Sequence, residues 1–242
     1  MKDTWRELME YIQISNRPIT LSHISITPDQ IFEAIRRTNQ KFAHIGIETA
    51  KMALDIFNVI DFRVFSGMLG EAYATTLEEV LDHKLVKNPS IDGYPDLLQN
   101  VTPEMQKYFK SCGYEQFLDY KYGGIEVKNT FGTKKNGAPI LMGDQRIGYI
   151  NDKLDWKAHH RKTNHLLALF SDYYNGRPVI AAVFYSDSLT PDDWQKVQRP
   201  KEGSTMTSFS TIEKSGCEKL RKGMMFCLND PAYLEFFGVE VK

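Results

Sequence analysis

The chain has 242 residues, 42% of them hydrophobic and 12% aromatic, with 30 Lys and Arg against 31 Asp and Glu for a formal net charge of −1. That length buries a full core as one domain, and the near-zero charge excludes a polycation that coats nucleic acid indiscriminately, so any phosphate contact has to come from local clusters. No stretch approaches the roughly 20 apolar residues a membrane span needs, and the charged, amphipathic start MKDTWRELMEYIQ lacks the apolar centre of a signal peptide, which makes the cytoplasm the expected location. Cys112, Cys217 and Cys227 are odd in number and far apart, a pattern of reduced structural thiols rather than disulfides or zinc ligands.

The first third reads as helices. Thr27 is a candidate N-cap ahead of Pro28, and Ile31, Ile35 and Phe42 recur at helical spacing. A second helix is expected from about Glu48 to Val59 and a third from about Val64 to Leu81, where Phe65, Leu69, Tyr73, Leu77 and Val80 form the apolar stripe with Glu71 beside it. From Leu85, Gly, Pro and short apolar runs predict strands interrupted by turns, with a short helix near Pro103 to Lys110. A strand follows within KYGGIEVKNTF, Lys121 to Phe131. The segment from about Trp156 to Gly176 is expected as a helix, and RPVIAAVFYSD after it as a central strand. The remainder holds a loop, a candidate strand TMTSFSTI and a basic helix from about Ser215. This order predicts an α/β fold with a mixed central β-sheet flanked by helices, with helices added at the N-terminus. One domain, 1–242, accommodates it: a helical elaboration over 1–60, a core over 62–187 and a C-terminal elaboration over 188–242.

Strand side chains alternate faces, so Glu126 and Lys128 point one way while Ile125, Val127 and the polar Asn129 point the other. Burying such a pair costs several kcal/mol unless something else is held there. Phosphodiester hydrolysis supplies a reason. It needs a divalent cation held by carboxylates and a lysine near the attacking water, and Asp96 in GYPDLL with Glu126 and Lys128 provides those groups on predicted strands or their edges. The bare pattern is common in this chain. Acid-x-Lys recurs at Asp82, Asp119, Asp155 and Glu240, but Asp82 closes a helix, Asp155 opens one and Glu240 stands at the chain end; Asp119 competes for the site, and Asp92 competes for the role of Asp96. No G-x-x-x-x-G-K-[ST] or G-x-G-x-x-G loop occurs, so nothing points to a nucleotide cofactor.

YPD followed by GGIEVKNT resembles the PD-(D/E)XK nuclease superfamily, whose largest group is the Type II restriction endonucleases. The resemblance covers roughly half the chain and implies a restriction-endonuclease-like core of a helix, three strands, a helix and a strand. It further implies Mg²⁺ held by Asp96, Glu126 and the backbone carbonyl of Val127, with Lys128 orienting or deprotonating water or offsetting charge on the scissile phosphate. Glu71 matches, in order and type, the helix glutamate that supports the metal site in many such enzymes, with Glu78 as the fallback. The implied partner is double-stranded DNA, cut by a homodimer. The alternatives are a structure-specific repair or recombination nuclease and a non-catalytic DNA-binding protein in which Glu126 and Lys128 form only a surface pair.

Two basic clusters offer phosphate contacts: Lys153 to Lys162, and Lys196 to Lys222. Within the first, Lys157, His159, His160, Arg161 and Lys162 are assigned to DNA phosphate at an expected helix start. The spacing of His159, His160, Asn164 and His165 fits neither a His-Asn-His nuclease nor zinc. Past the core, where this family commonly places recognition elements, Ser204, Thr205, Thr207, Ser208 and Ser210 are assigned to base reading.

Overall fold

The computed structural model describes residues 9–60, 62–131, 157–158, 164–199 and 208–240. Strand β1 (Tyr11–Gln13) precedes a small hairpin of β2 (Ile19–Thr20) and β3 (Ser25–Ile26), and helix α1 (Pro28–Lys51) follows. Its start is fixed by a reciprocal cap: Gln30 N–H donates to the Thr27 hydroxyl at 3.3 Å, and Thr27 N–H donates to the Gln30 side chain at 2.9 Å. The helix expected from Glu48 does not begin there. α1 runs on to Lys51, and the next helix, α2 (Ile56–Val59), is a single turn whose start is set by Asp55, which accepts the Phe57 N–H. Helix α3 (Phe62–Val80) then buries Phe65, Leu69, Tyr73 and Leu77 completely, as their spacing predicts.

Strands β4 (Leu85–Lys87) and β5 (Leu97–Gln99), helices α4 (Pro103–Ser111) and α5 (Tyr114–Leu118), and strand β6 (Gly124–Phe131) come next. After β7 (Lys157–Ala158), strands β8 (Leu166–Tyr174) and β9 (Arg177–Ser186) form a long hairpin, followed by β10 (Ser210–Thr211), helix α6 (Lys214–Lys222), β11 (Met224–Leu228) and helix α7 (Pro231–Phe237). The expected short helix near Pro103, the central strand at Arg177 and the basic helix near Ser215 are all present; the candidate strand TMTSFSTI is reduced to β10 among the described residues.

The helix expected between Trp156 and Gly176 is corrected. Residues 166–174 are strand β8, buried on both faces, so its apolar run carries no alternation and looks the same as a buried helix. Leu166, Ala168 and Phe170 pack on one side of the sheet, Leu167, Leu169 and Tyr173 on the other. Asn175 and Gly176, at φ 51° and 74°, make the tight turn between Tyr174 and Arg177, paired across the hairpin. An Asn-Gly pair with both φ positive suits a hairpin turn, and here it serves as one rather than as a helix cap.

The sheet has seven strands in the order β1-β11-β9-β8-β6-β5-β4, mixed because β6 and β8 run parallel while the other neighbours are antiparallel. α1 and α3 cover one face, closing a core that includes Leu69, Val127 and Leu169; α6 and α7 cover the other over Phe170, Phe184 and Leu220. The fold is thus α/β with a mixed central sheet flanked by helices. A register shift in the β8–β9 hairpin sets Phe170 opposite Ala182 and Ser171 opposite Ile180, leaving Ala181 as the extra residue of a bulge. Buried Asn39 of α1 accepts the Ile180 N–H at 2.9 Å and donates to the Tyr11 hydroxyl at 2.8 Å, which itself donates to the Ile180 carbonyl.

Candidate active site

The site forms where β5 leaves β6. These strands pair only at Leu97 with Ile125 and Leu98 with Gly124, so beyond Ile125 that edge of β6 has no strand beside it among the described residues. Gly124 allows the close approach, since a Cβ there would stand 1.8 Å from the Leu97 carbonyl oxygen. Asp96, just before β5, turns its carboxylate onto the open edge and accepts the Val127 N–H at 2.8 Å. Glu126 is held from the other side, its N–H donating to the His165 carbonyl at 3.0 Å.

The three residues expected to act together do meet. The Lys128 ammonium lies 3.0 Å from Asp96 Oδ2 and 2.8 Å from Glu126 Oε1, and the Asp96 N–H donates to Glu126 Oε2 at 3.2 Å. Glu126 is 2% exposed and β6 lies inside the sheet, so this is no surface pair on an edge strand. Burial pushes the Glu126 carboxyl up to about 7, helped by the Asp96 charge and opposed by Lys128. For Lys128, burial lowers the pKa, but the Glu126 and Asp96 charges outweigh it and the net shift is upward, so the ammonium stays protonated. Two acids therefore share one cation.

Asp96 and Lys128 open onto a cleft of about 500 Å³ between α3 and the loop joining β4 to β5. Glu71 lines this cleft but does not join the triad: it is exposed and pairs with Lys87 at 2.6 Å. Glu78 is engaged elsewhere, accepting the Lys87 N–H at 3.1 Å and facing His83. Asp92 is exposed on the loop, and Asp119 is exposed beside a separate depression that includes Lys121 and His165; of these three aspartates, Asp96 is the one that reaches Lys128.

Of the residues assigned to DNA, His159, His160, Arg161, Lys162, Ser204, Thr205 and Thr207 lie outside the described residues. Lys157 is on β7, a strand where a helix start was expected, and β7 pairs antiparallel with β10, Lys157 opposite Thr211 and Ala158 opposite Ser210. The two segments assigned to DNA are thus neighbours, but the Ser210 side chain is wholly buried and offers no surface to a base, while Ser208 is half-buried. Lys87 and Ser90, which line the cleft, had not been singled out from the sequence. A signal for Lys87 existed: in Leu85-Val86-Lys87 it shares a strand face with fully buried Leu85.

The donor set fits a hard divalent cation. Asp96 and Glu126 offer carboxylate oxygens, and the Val127 carbonyl shares the open edge of β6 with its N–H, since both groups of one strand residue face the same side. Among the described residues no three His, Cys, Asp or Glu side chains gather, so two carboxylates and a backbone oxygen are what this site presents. Compared with protein-family models, with curated proteins and with solved structures, the chain matches none.

Proposed function

We propose that this protein is a Mg²⁺-dependent endonuclease that hydrolyses phosphodiester bonds of double-stranded DNA. The observation that carries the reading is the meeting of Asp96, Glu126 and Lys128 at an open strand edge on the floor of a cleft. Asp96, Glu126 and the Val127 carbonyl would hold the ion, which when bound supplies a polarised phosphate and a more acidic water. Lys128 keeps the two carboxylates together and places a positive charge where negative charge builds on the scissile phosphate. Burial of Glu126 fixes the direction of its carboxylate, while the partly exposed Asp96 leaves the site open to a polymer.

The strand order gives partial support: α3, then antiparallel β4, β5 and β6, then β8 parallel to β6, is the strand arrangement the YPD and GGIEVKNT resemblance implies, whereas α4 and α5 stand between β5 and β6 and the helix implied before the last strand is not among the described residues. The chain between β6 and β8 lies largely outside the described residues. On that resemblance we extend the reading to a Type II restriction enzyme cutting both strands as a homodimer. Incubation with a long, sequenced duplex and Mg²⁺, with mapping of the ends, is the test. Discrete ends at one short sequence are expected. Preferential cutting of branched DNA would replace the restriction reading with a repair one, and intact DNA across a series of divalent cations would overturn the nuclease reading.

A further inference from the structure

Glycine is less favourable than alanine inside a helix, so a helical glycine that the fold does not need calls for another account. α3 carries two on the wall of the cleft. Among the described residues, a Cβ at Gly67 would meet nothing within 4 Å, and one at Gly70 would make only an ordinary contact with Asn129 at 3.6 Å. Packing against the described residues therefore explains neither. By contrast, Gly46 of α1 is required, because a Cβ there would stand 2.6 Å from the Phe57 ring.

A second observation comes from the facing wall. Ser90 lines the same cleft, is 7% exposed, and its buried hydroxyl has no hydrogen-bond partner among the described residues. The loop carrying it is held in place: Ser90 N–H donates to the Asn88 side chain at 2.9 Å, whose Nδ2 donates to the Pro95 and Phe117 carbonyls at 3.1 and 2.9 Å. A donor fixed in this way and left unsatisfied is a cost to the fold that a ligand oxygen would remove. Lys87, also in the cleft, pairs among the described residues with exposed Glu71, and such pairs exchange readily for a stronger anion.

We propose that the cleft seats one sugar-phosphate strand of the substrate against the bare backbone of α3 at Gly67 and Gly70, with the Ser90 hydroxyl and the Lys87 ammonium taking a phosphate beside the scissile one. This rests on the nuclease reading above and adds to it where the polymer lies. Absent side chains on α3 let a bulky backbone come close to the helix, and Ser90 and Lys87 give it a donor and a charge on the opposite wall.

The test pairs stability with binding. Gly67→Leu and Ser90→Ala are compared with the unaltered protein in melting temperature, in affinity for a duplex in Ca²⁺, and in KM for cleavage in Mg²⁺. Both variants are expected to melt at or above the unaltered protein, because one gains helix preference and the other loses an unsatisfied hydroxyl. Gly67→Leu should bind duplex about tenfold more weakly or worse, with Ser90→Ala moving the same way by a smaller factor and both raising KM. Unchanged affinity and KM in both, in a protein that does cut DNA, overturn the seat and leave the nuclease reading standing. A lower melting temperature for Ser90→Ala assigns its hydroxyl to the fold and overturns its role. An unaltered protein that neither binds nor cuts duplex DNA overturns both readings.

Discussion

Asp96 stands to Val127 as a neighbouring strand would: its Oδ2 accepts the Val127 backbone N–H at 2.8 Å and takes the Lys128 ammonium at 3.0 Å. One oxygen thus serves both the sheet and the proposed metal site, and the two duties can be separated by substitution. Asp96→Asn keeps an acceptor for the N–H and loses the charge, so it should fold normally and show no Mg²⁺-dependent cleavage. Asp96→Ala loses both and should also cost about 1–3 kcal/mol in denaturant unfolding, from the Val127 N–H left without its acceptor, while Lys128 keeps Glu126 as its partner. Full activity in purified Asp96→Asn would remove Asp96 from the site.

Lys128→Met removes the cation that two carboxylates share and leaves the aliphatic stem. Single-turnover cleavage should fall by about a hundredfold or more, as expected when a charge aimed at the transition state is lost. Binding of duplex in Ca²⁺ should change far less. A near-normal cleavage rate would show that Lys128 only holds the acids together.

The Glu126 carboxyl gives a pH signature in metal-free buffer. Its folded pKa of about 7 lies above the ordinary 4.5, so the group favours folding fully below pH 4.5, and that contribution is lost as pH rises to about 7. Glu126→Gln carries no such titration. The stability of Glu126→Gln relative to the unaltered protein should therefore rise by roughly 3 kcal/mol between pH 4.5 and pH 8. Parallel stability curves for the two proteins across that interval would contradict it.

Asn39 offers a prediction away from the site. Asn39→Leu leaves the Ile180 N–H at the β9 bulge without its acceptor and the Tyr11 hydroxyl without its donor, at a cost of roughly 1–3 kcal/mol. Cleavage per folded molecule should be unchanged. Loss of activity without loss of stability would mean that this latch reaches the cleft.

The candidate triad was legible because strand alternation puts Glu126 and Lys128 on one face whatever the tertiary structure, and because YPD stands one strand earlier. Its partnering was not, since Asp96, Asp92 and Asp119 are equivalent until the exit of β5 from β6 selects one. Glu71 has the right place in the chain, but helix position alone does not give its reach, and Lys87 on β4 holds it at the far wall. β8 was misread for a different reason: a strand buried on both faces has no polar side to reveal its period, and its informative residues were the Asn175-Gly176 turn rather than the apolar run. Ser90 and the α3 glycines carry no sequence signal of their own; only the space around them distinguishes them.

Tyr11 of β1 lies opposite Leu228 of β11, so the far border of the sheet is made from two stretches separated by nearly the whole polypeptide. β4, β5 and β6, which surround the triad, are close together in the chain and close small loops. During synthesis the triad's neighbourhood can assemble on the ribosome well before Leu228 emerges, whereas β9 waits with a bare backbone ladder until β11 and then β1 dock. A nascent or truncated chain ending before Met224 would present that ladder to other copies, and its characteristic failure should be self-association through β9 rather than collapse of the site.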